Sequence, residues 1–140
     1  HEPWPGCISI AGESGAAARA WYVEQSLAIF AWSSLAGGFL SGRFTPDNLD
    51  TFTGEDDLRA IRAYGSDANF RRLARAQELA AEKQVTLAQI AVAYVLNQPL
   101  DIYALIAPVN RQEVGQNIAA ADLSLTPAEL AWLDLRADTR

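Results

Sequence analysis

Methionine is absent from these 140 residues, and cysteine, histidine and lysine occur once each. A natural reading frame opens on methionine, so the chain is expected to be trimmed or to be a piece of something longer. Cys7 stands alone and has no partner for an internal disulfide, which fits a reducing, cytoplasmic setting. The only histidine is His1, which argues against a histidine-based metal site and against a Ser-His-Asp triad. Positive charge is scarce: 11 basic against 17 acidic residues leave a net charge of -6, which argues against nucleic acid or an acidic membrane surface as partner. No apolar run is long enough to cross a bilayer. The opening, His1-Glu2-Pro3-Trp4-Pro5-Gly6, lacks the basic-then-apolar order of a signal peptide. Internal repeats and low-complexity segments are missing. So are the GxGxxG and P-loop patterns, which counts against a general phosphate-binding domain.

Half of the residues are hydrophobic, enough for one core of ordinary domain size. The stretch that organises them is Leu27 to Arg43. Leu27-Ala28-Ile29-Phe30-Ala31-Trp32 has no polar face, as expected of a parallel strand covered on both sides. It breaks into Ser33-Ser34-Leu35-Ala36-Gly37-Gly38-Phe39-Leu40-Ser41-Gly42, small residues that let backbone N–H groups approach an anion, and Arg43 closes the loop with a fixed positive charge. An ordinary small-residue loop after a strand is the plainer reading of the same residues.

Around this stretch, His1 to Gly15 is punctuated by proline and glycine and reads as a connecting loop. Ala16 to Gln25 reads as a short helix. Phe44 to Ser66 is polar, with one short helix expected near Asp57 to Ala63, and its acids Glu55-Asp56-Asp57 read as a solvated face. Asp67 to Gln84 is amphipathic, with Phe70, Leu73, Ala74, Gln77 and Ala80-Ala81 as its apolar stripe. Thr86 and Gln89 form a capping box for a helix from Leu87 to Asn97, packed through Leu87, Ile90, Ala91, Tyr94 and Val95 and stopped by Pro99. Asp101 to Ile106 reads as a second buried strand. Asn110 and Glu113 repeat the capping pattern, and Thr126-Pro127-Ala128-Glu129 opens a last helix reaching about Arg136, with Leu130 and Leu133 facing inward beside Trp132.

Trp32-Ser33-Ser34-Leu35-Ala36-Gly37-Gly38-Phe39-Leu40-Ser41-Gly42-Arg43 resembles the aldo/keto reductase segment written aromatic-S-P-L-x-x-G-x-L-x-G-K. A second block, Ala104-Leu105-Ile106-Ala107-Pro108 through Asn117-Ile118-Ala119-Ala120-Ala121-Asp122, resembles that family's last strand and following helix. The resemblance covers Ala17 onward. It implies an α/β fold: the C-terminal part of a (β/α)8 TIM barrel of aldo/keto reductase type, incomplete on its own because a full barrel needs about 250 residues. Residues 1–140 then form a single partial domain with a long polar loop insertion at 44–66.

The resemblance also implies a cofactor, NADP(H) or NAD(H), and residues to hold it. Trp32 matches the aromatic that stacks on the nicotinamide; its bland alternative is a core tryptophan. Ser33, Leu35, Ala36 and Gly37 match positions whose backbone or hydroxyl groups hold the pyrophosphate. Ser34 replaces the usual proline, and Arg43 the lysine that reaches the pyrophosphate. Asn117 matches the asparagine that contacts adenine, and Gln116 stands where glutamate is usual. Two departures bear on the 2′-phosphate of NADPH: Glu113, where arginine or glutamine is common, and Val109, where a cation or hydroxyl is common. A carboxylate repels a phosphate, which leaves NADH open and makes a helix cap the plainer role for Glu113. Arg111 is the residue able to compensate.

The family's catalytic Asp, Tyr, Lys and His map onto none of these residues. Lys83 lies among charges on an amphipathic helix, and no tyrosine has a cation placed by sequence to lower its pKa. Two functions follow. One is the cofactor-binding portion of a reductase whose other part carries the acid and the pocket for a small carbonyl substrate, with self-association of the partial barrel as a corollary. The other is a non-catalytic reductase-like module for nucleotide binding or protein interaction.

Overall fold

Two short parallel strands, β1 (Ile29–Ala31) and β2 (Ile102–Ala104), pair Ile29 with Ile102, Phe30 with Tyr103 and Ala31 with Ala104. The computed structural model describes residues 7–140; the part of the expected N-terminal loop that falls on residues 1–6, with His1, lies outside them. Among the described residues, six α-helices complete the α/β arrangement: α1 (Ala16–Glu24), α2 (Glu55–Tyr64), α3 (Asp67–Lys83), α4 (Leu87–Leu96), α5 (Arg111–Ala119) and α6 (Pro127–Leu133). Single 3-10 turns fill Leu49–Thr51 and Ala120–Asp122, and two joined across a kink fill Ala36–Ser41.

The helix boundaries follow from caps. Ser66, Thr86, Asn110 and Thr126 each accept a hydrogen bond from the backbone N–H three residues on, which satisfies one orphan donor per helix. Thr86 with Gln89 and Thr126 with Glu129 close full capping boxes. At α5 the reciprocal bond differs from the expected pattern. The Glu113 carboxylate accepts from the N–H of Val109, one residue before the cap, and from Asn110 Nδ2.

Burial corrects three readings. On α3 the inward residues are Leu73, Ala76, Leu79 and Ala80, while Ala74, Gln77 and Ala81 are exposed. A stripe read from hydropathy misjudged the phase by one position, because alanine carries too little apolar area to set it. Helix α2 runs from Glu55 to Tyr64, longer than the expected short helix, because Ala60 and Ala63 pack it onto the loop after β1. The strands are covered on one side only. Ile29, Ala31, Ile102 and Ala104 are half-buried and α4 lies against β2, whereas Phe30 and Tyr103 stack on the opposite face at 5.2 Å, 64% and 51% exposed. No described element covers that face, so the double cover expected of a parallel strand is absent there.

Two cores form. One joins α3, α4 and α6 through Leu79, Ile90, Ala93, Leu125, Leu130, Trp132 and Leu133. The other lies beneath the loop after β1, where Phe39 and Phe44 are buried with Ala60 and Leu73. Trp132, beside Leu130 and Leu133 as expected, also lies under the guanidinium groups of Arg140 and Arg75, 4.2 and 5.1 Å from its ring.

Lys83 finds a partner at the first turn of α6: its ammonium lies 2.7 Å from Glu129. Burial acts to raise the Glu129 pKa, and the hydrogen bonds from Lys83 and Thr126 outweigh it, holding the carboxyl below its ordinary value. A depressed carboxyl contributes stability that is complete above its unfolded pKa of about 4.3 and is lost as pH falls through the folded value. Glu129→Gln is therefore expected to lower stability by about 0.5–1 kcal/mol at pH 7. The deficit should shrink as pH falls below the unfolded value, and be smaller at pH 3 than at pH 7. Urea midpoints of both proteins at the two pH values test this, and a deficit that grows in acid refutes it.

Candidate functional site

Parallel pairing puts the C-terminal ends of both strands at the same edge. The ladder continues past the strands as Leu105 N–H donates to Ala31 C=O at 2.8 Å, and the Ser34 hydroxyl donates to Leu105 C=O at 3.3 Å. The loops at 32–43 and 105–110 therefore leave the sheet side by side. That edge is where open parallel sheets bind ligands.

Within the first loop the backbone turns back on itself. Ala36 N–H donates to Ser33 C=O at 2.7 Å, Gly37 N–H to Ser33 Oγ at 3.0 Å and Gly38 N–H to Leu35 C=O at 3.0 Å. The turns require left-handed backbone at Gly37 and Gly38 (φ 61° and 89°), and also at Ser33 and Ala36 (φ 60° and 52°), where a side chain makes it costly. Such local strain concentrates at sites of function. Among the described residues, the N–H groups of Ser34 and Leu35 have no acceptor. These donors lie just past the end of β1.

Trp32 is half exposed, at 50%, and no described ring stacks on it. Arg43 is fixed from three sides. Its guanidinium sits over the rings of Phe44 and Phe52, 4.5 and 5.5 Å from their centroids, approaches Gly38, and pairs with the Asp57 carboxylate. The side chain is still 47% exposed. Asp57 is the residue that sequence reasoning missed: the acidic group containing it read as a solvated face. A contact 14 residues away across a turn leaves no spacing signal, and only its place in the first turn of a helix was readable.

A model of the aldo/keto reductase family matches residues 19–135, which include both loops. The chain belongs to the aldo/keto reductase family. It is 25% identical over 113 residues to versiconal hemiacetal acetate reductase of Aspergillus parasiticus, covering 80% of this chain and 33% of that protein. It is 29% identical over 107 residues to probable aldo-keto reductase 1 of Glycine max, covering 76% and 31%. A probable voltage-gated potassium channel subunit beta of Arabidopsis thaliana is 26% identical over 118 residues, covering 78% and 35%. The chain spans about a third of the length of these curated relatives.

In this aldo/keto reductase chain, Ser33, Leu35, Ala36, Gly37 and Arg43 share one loop, and Ser34 ties it to the second block at Leu105. Val109 and Glu113 lie at the start of α5, Val109 85% exposed. The Glu113 carboxylate is taken up by the cap of its own helix, 2.9 Å from Val109 N and 2.8 Å from Asn110 Nδ2. Gln116 and Asn117 sit half-buried on the second turn of α5, and no hydrogen bond joins their side chains to the first loop among the described residues. The shallow grooves are elsewhere, between α1 and the Pro99-Leu100 segment at the other end of the strands. Tyr94 is half-buried and donates to Asp134; desolvation first, and that carboxylate second, push its pKa far up, the reverse of what an acid catalyst requires.

Proposed function

We propose that these residues are the C-terminal part of a (β/α)8 barrel and the nicotinamide-dinucleotide-binding portion of an NAD(P)H-dependent oxidoreductase acting on small carbonyl compounds. The observation that carries this reading is the side-by-side exit of the two family-matched loops at the C-terminal edge of the parallel strands, with donors of the first loop unpartnered. The residues present fit a dinucleotide. Ser34 and Leu35 offer backbone N–H groups to a pyrophosphate, Arg43 a half-exposed guanidinium, and Trp32 an open ring face for the nicotinamide.

The bound cofactor would supply or accept hydride. The chain's own residues bind and orient: Trp32 holds a flat ring by its π face, the loop amides point at negative charge, and Arg43 balances that charge. Proton transfer to a carbonyl is not assigned to any of the described residues. At α5, the Glu113 carboxylate occupies the end of the helix that an extra phosphate would need, which favours NADH over NADPH.

Titration with NADH and NADPH followed by tryptophan fluorescence tests the reading. Saturable quenching is expected, tighter for NADH. Trp32→Ala should weaken it by about three- to tenfold, the worth of one aromatic stack. Glu113→Gln should narrow the gap between the two cofactors. A folded sample that responds to neither overturns the reading in favour of a non-catalytic module.

A further inference from the structure

Arg43 carries a second message in its choice of partner. The Phe44 ring beneath it is fully buried and Phe52 flanks it, so packing holds the guanidinium near Gly38 alongside the Asp57 pair. What Asp57 adds is a negative charge on a guanidinium edge that faces solvent. That carboxylate has its own mooring: it lies on the first turn of α2, where the helix dipole favours an anion. Helix α2 in turn packs on the 36–41 turn through Ala60 against the Phe39 core. One charge pair thus links the anion-facing loop to the start of the 55–64 helix.

We infer that Asp57 is a built-in competitor at the anion site: it occupies the edge of Arg43 that an incoming diphosphate takes, and binding exchanges the Arg43–Asp57 pair for an Arg43–phosphate pair. The exchange lowers affinity for the anion and releases the first turn of α2 from the loop. The proposal rests on the dinucleotide reading for the source of the diphosphate, but the competition itself concerns any diphosphate.

Inorganic pyrophosphate is therefore the probe, measured by calorimetry on the chain, on Asp57→Asn, on Arg43→Ala and on the double variant. Asp57→Asn is expected to tighten pyrophosphate binding by about two- to fivefold, the reach of one exposed ion pair. Arg43→Ala should weaken binding, and in that background Asp57→Asn should change nothing, since the competitor has lost its target. Adding pyrophosphate to the unaltered chain should speed amide exchange in the first turn of α2, at Leu58 and Arg59. Far-UV circular dichroism confirms that each variant is folded. Weaker or unchanged binding by folded Asp57→Asn overturns the proposal, as does the absence of pyrophosphate binding in every form. If pyrophosphate behaves as stated while NADH and NADPH do not bind, the competition stands and the dinucleotide reading falls.

Discussion

Phe39→Ala is expected to lower stability by about 3–5 kcal/mol, the cost of emptying a buried aromatic site. Phe39 is 2% exposed and sits at the centre of an aromatic group, 5.1 Å from Phe70, 6.1 Å from Phe44 and 6.3 Å from Tyr64 between ring centroids. Its backbone belongs to the turn that presents the Ser33–Gly42 loop, and its ring is what anchors that turn to α2 and α3. Little can collapse into the gap, because Ala60 and Leu73 lie on helices held by other contacts. The loss is large beside the stability of an ordinary domain, about 5–15 kcal/mol. Urea denaturation should show a lower midpoint, and amide exchange at Gly37 and Gly38 should accelerate more than in α6, which belongs to the other core. A drop under about 1 kcal/mol, typical of a surface site, would refute this account of the loop's support.

Asn97→Ala is expected to cost about 2–4 kcal/mol, since three hydrogen bonds at about 1 kcal/mol each are lost and their partners stay in place. Asn97 closes the C-terminal end of α4. Its Nδ2 donates to Ala93 C=O and to Leu123 C=O, both at 2.9 Å, and its Oδ1 accepts from Leu125 N–H at 3.1 Å. Leu125 is buried, so its N–H has no ready access to water once the side chain is gone. The bridge also sets where the chain runs between α5 and α6, and thereby supports the helix whose first turn flanks the site. Gln98→Ala is the comparison, because Gln98 makes one such bond, to Tyr94 C=O at 2.9 Å. It should cost about a third as much. Equal effects in thermal unfolding would show that Asn97 acts only as one more helix cap.

The division between local and distant determinants is plain in these residues. Thr86 with Gln89 and Thr126-Pro127 with Glu129 mark helix starts correctly because a cap is a contact over three residues, complete within the sequence that encodes it. Both family-matched blocks were legible as short ordered motifs. The phase of α3 was not: Ala76 and Leu79, rather than Ala74 and Gln77, meet the core, and that depends on which side α4 and α6 occupy. Nor was the bare sheet face, since Phe30 and Tyr103 read as apolar whether or not anything covers them.

By itself, then, the sequence determined the family, the helix caps at Thr86, Asn110 and Thr126, and the order of strand, loop and helix, all carried by neighbours along the chain. Only the tertiary structure decided that Arg43 is paired with Asp57 over two phenylalanine rings, that Glu113 reaches back past its own cap to Val109, and that Asn97 bridges to Leu123 and Leu125. The physical reason is range. A cap or a turn is settled by a few consecutive dihedrals, whereas an ion pair or a bridge forms where packing of distant apolar groups happens to bring its members within hydrogen-bonding reach.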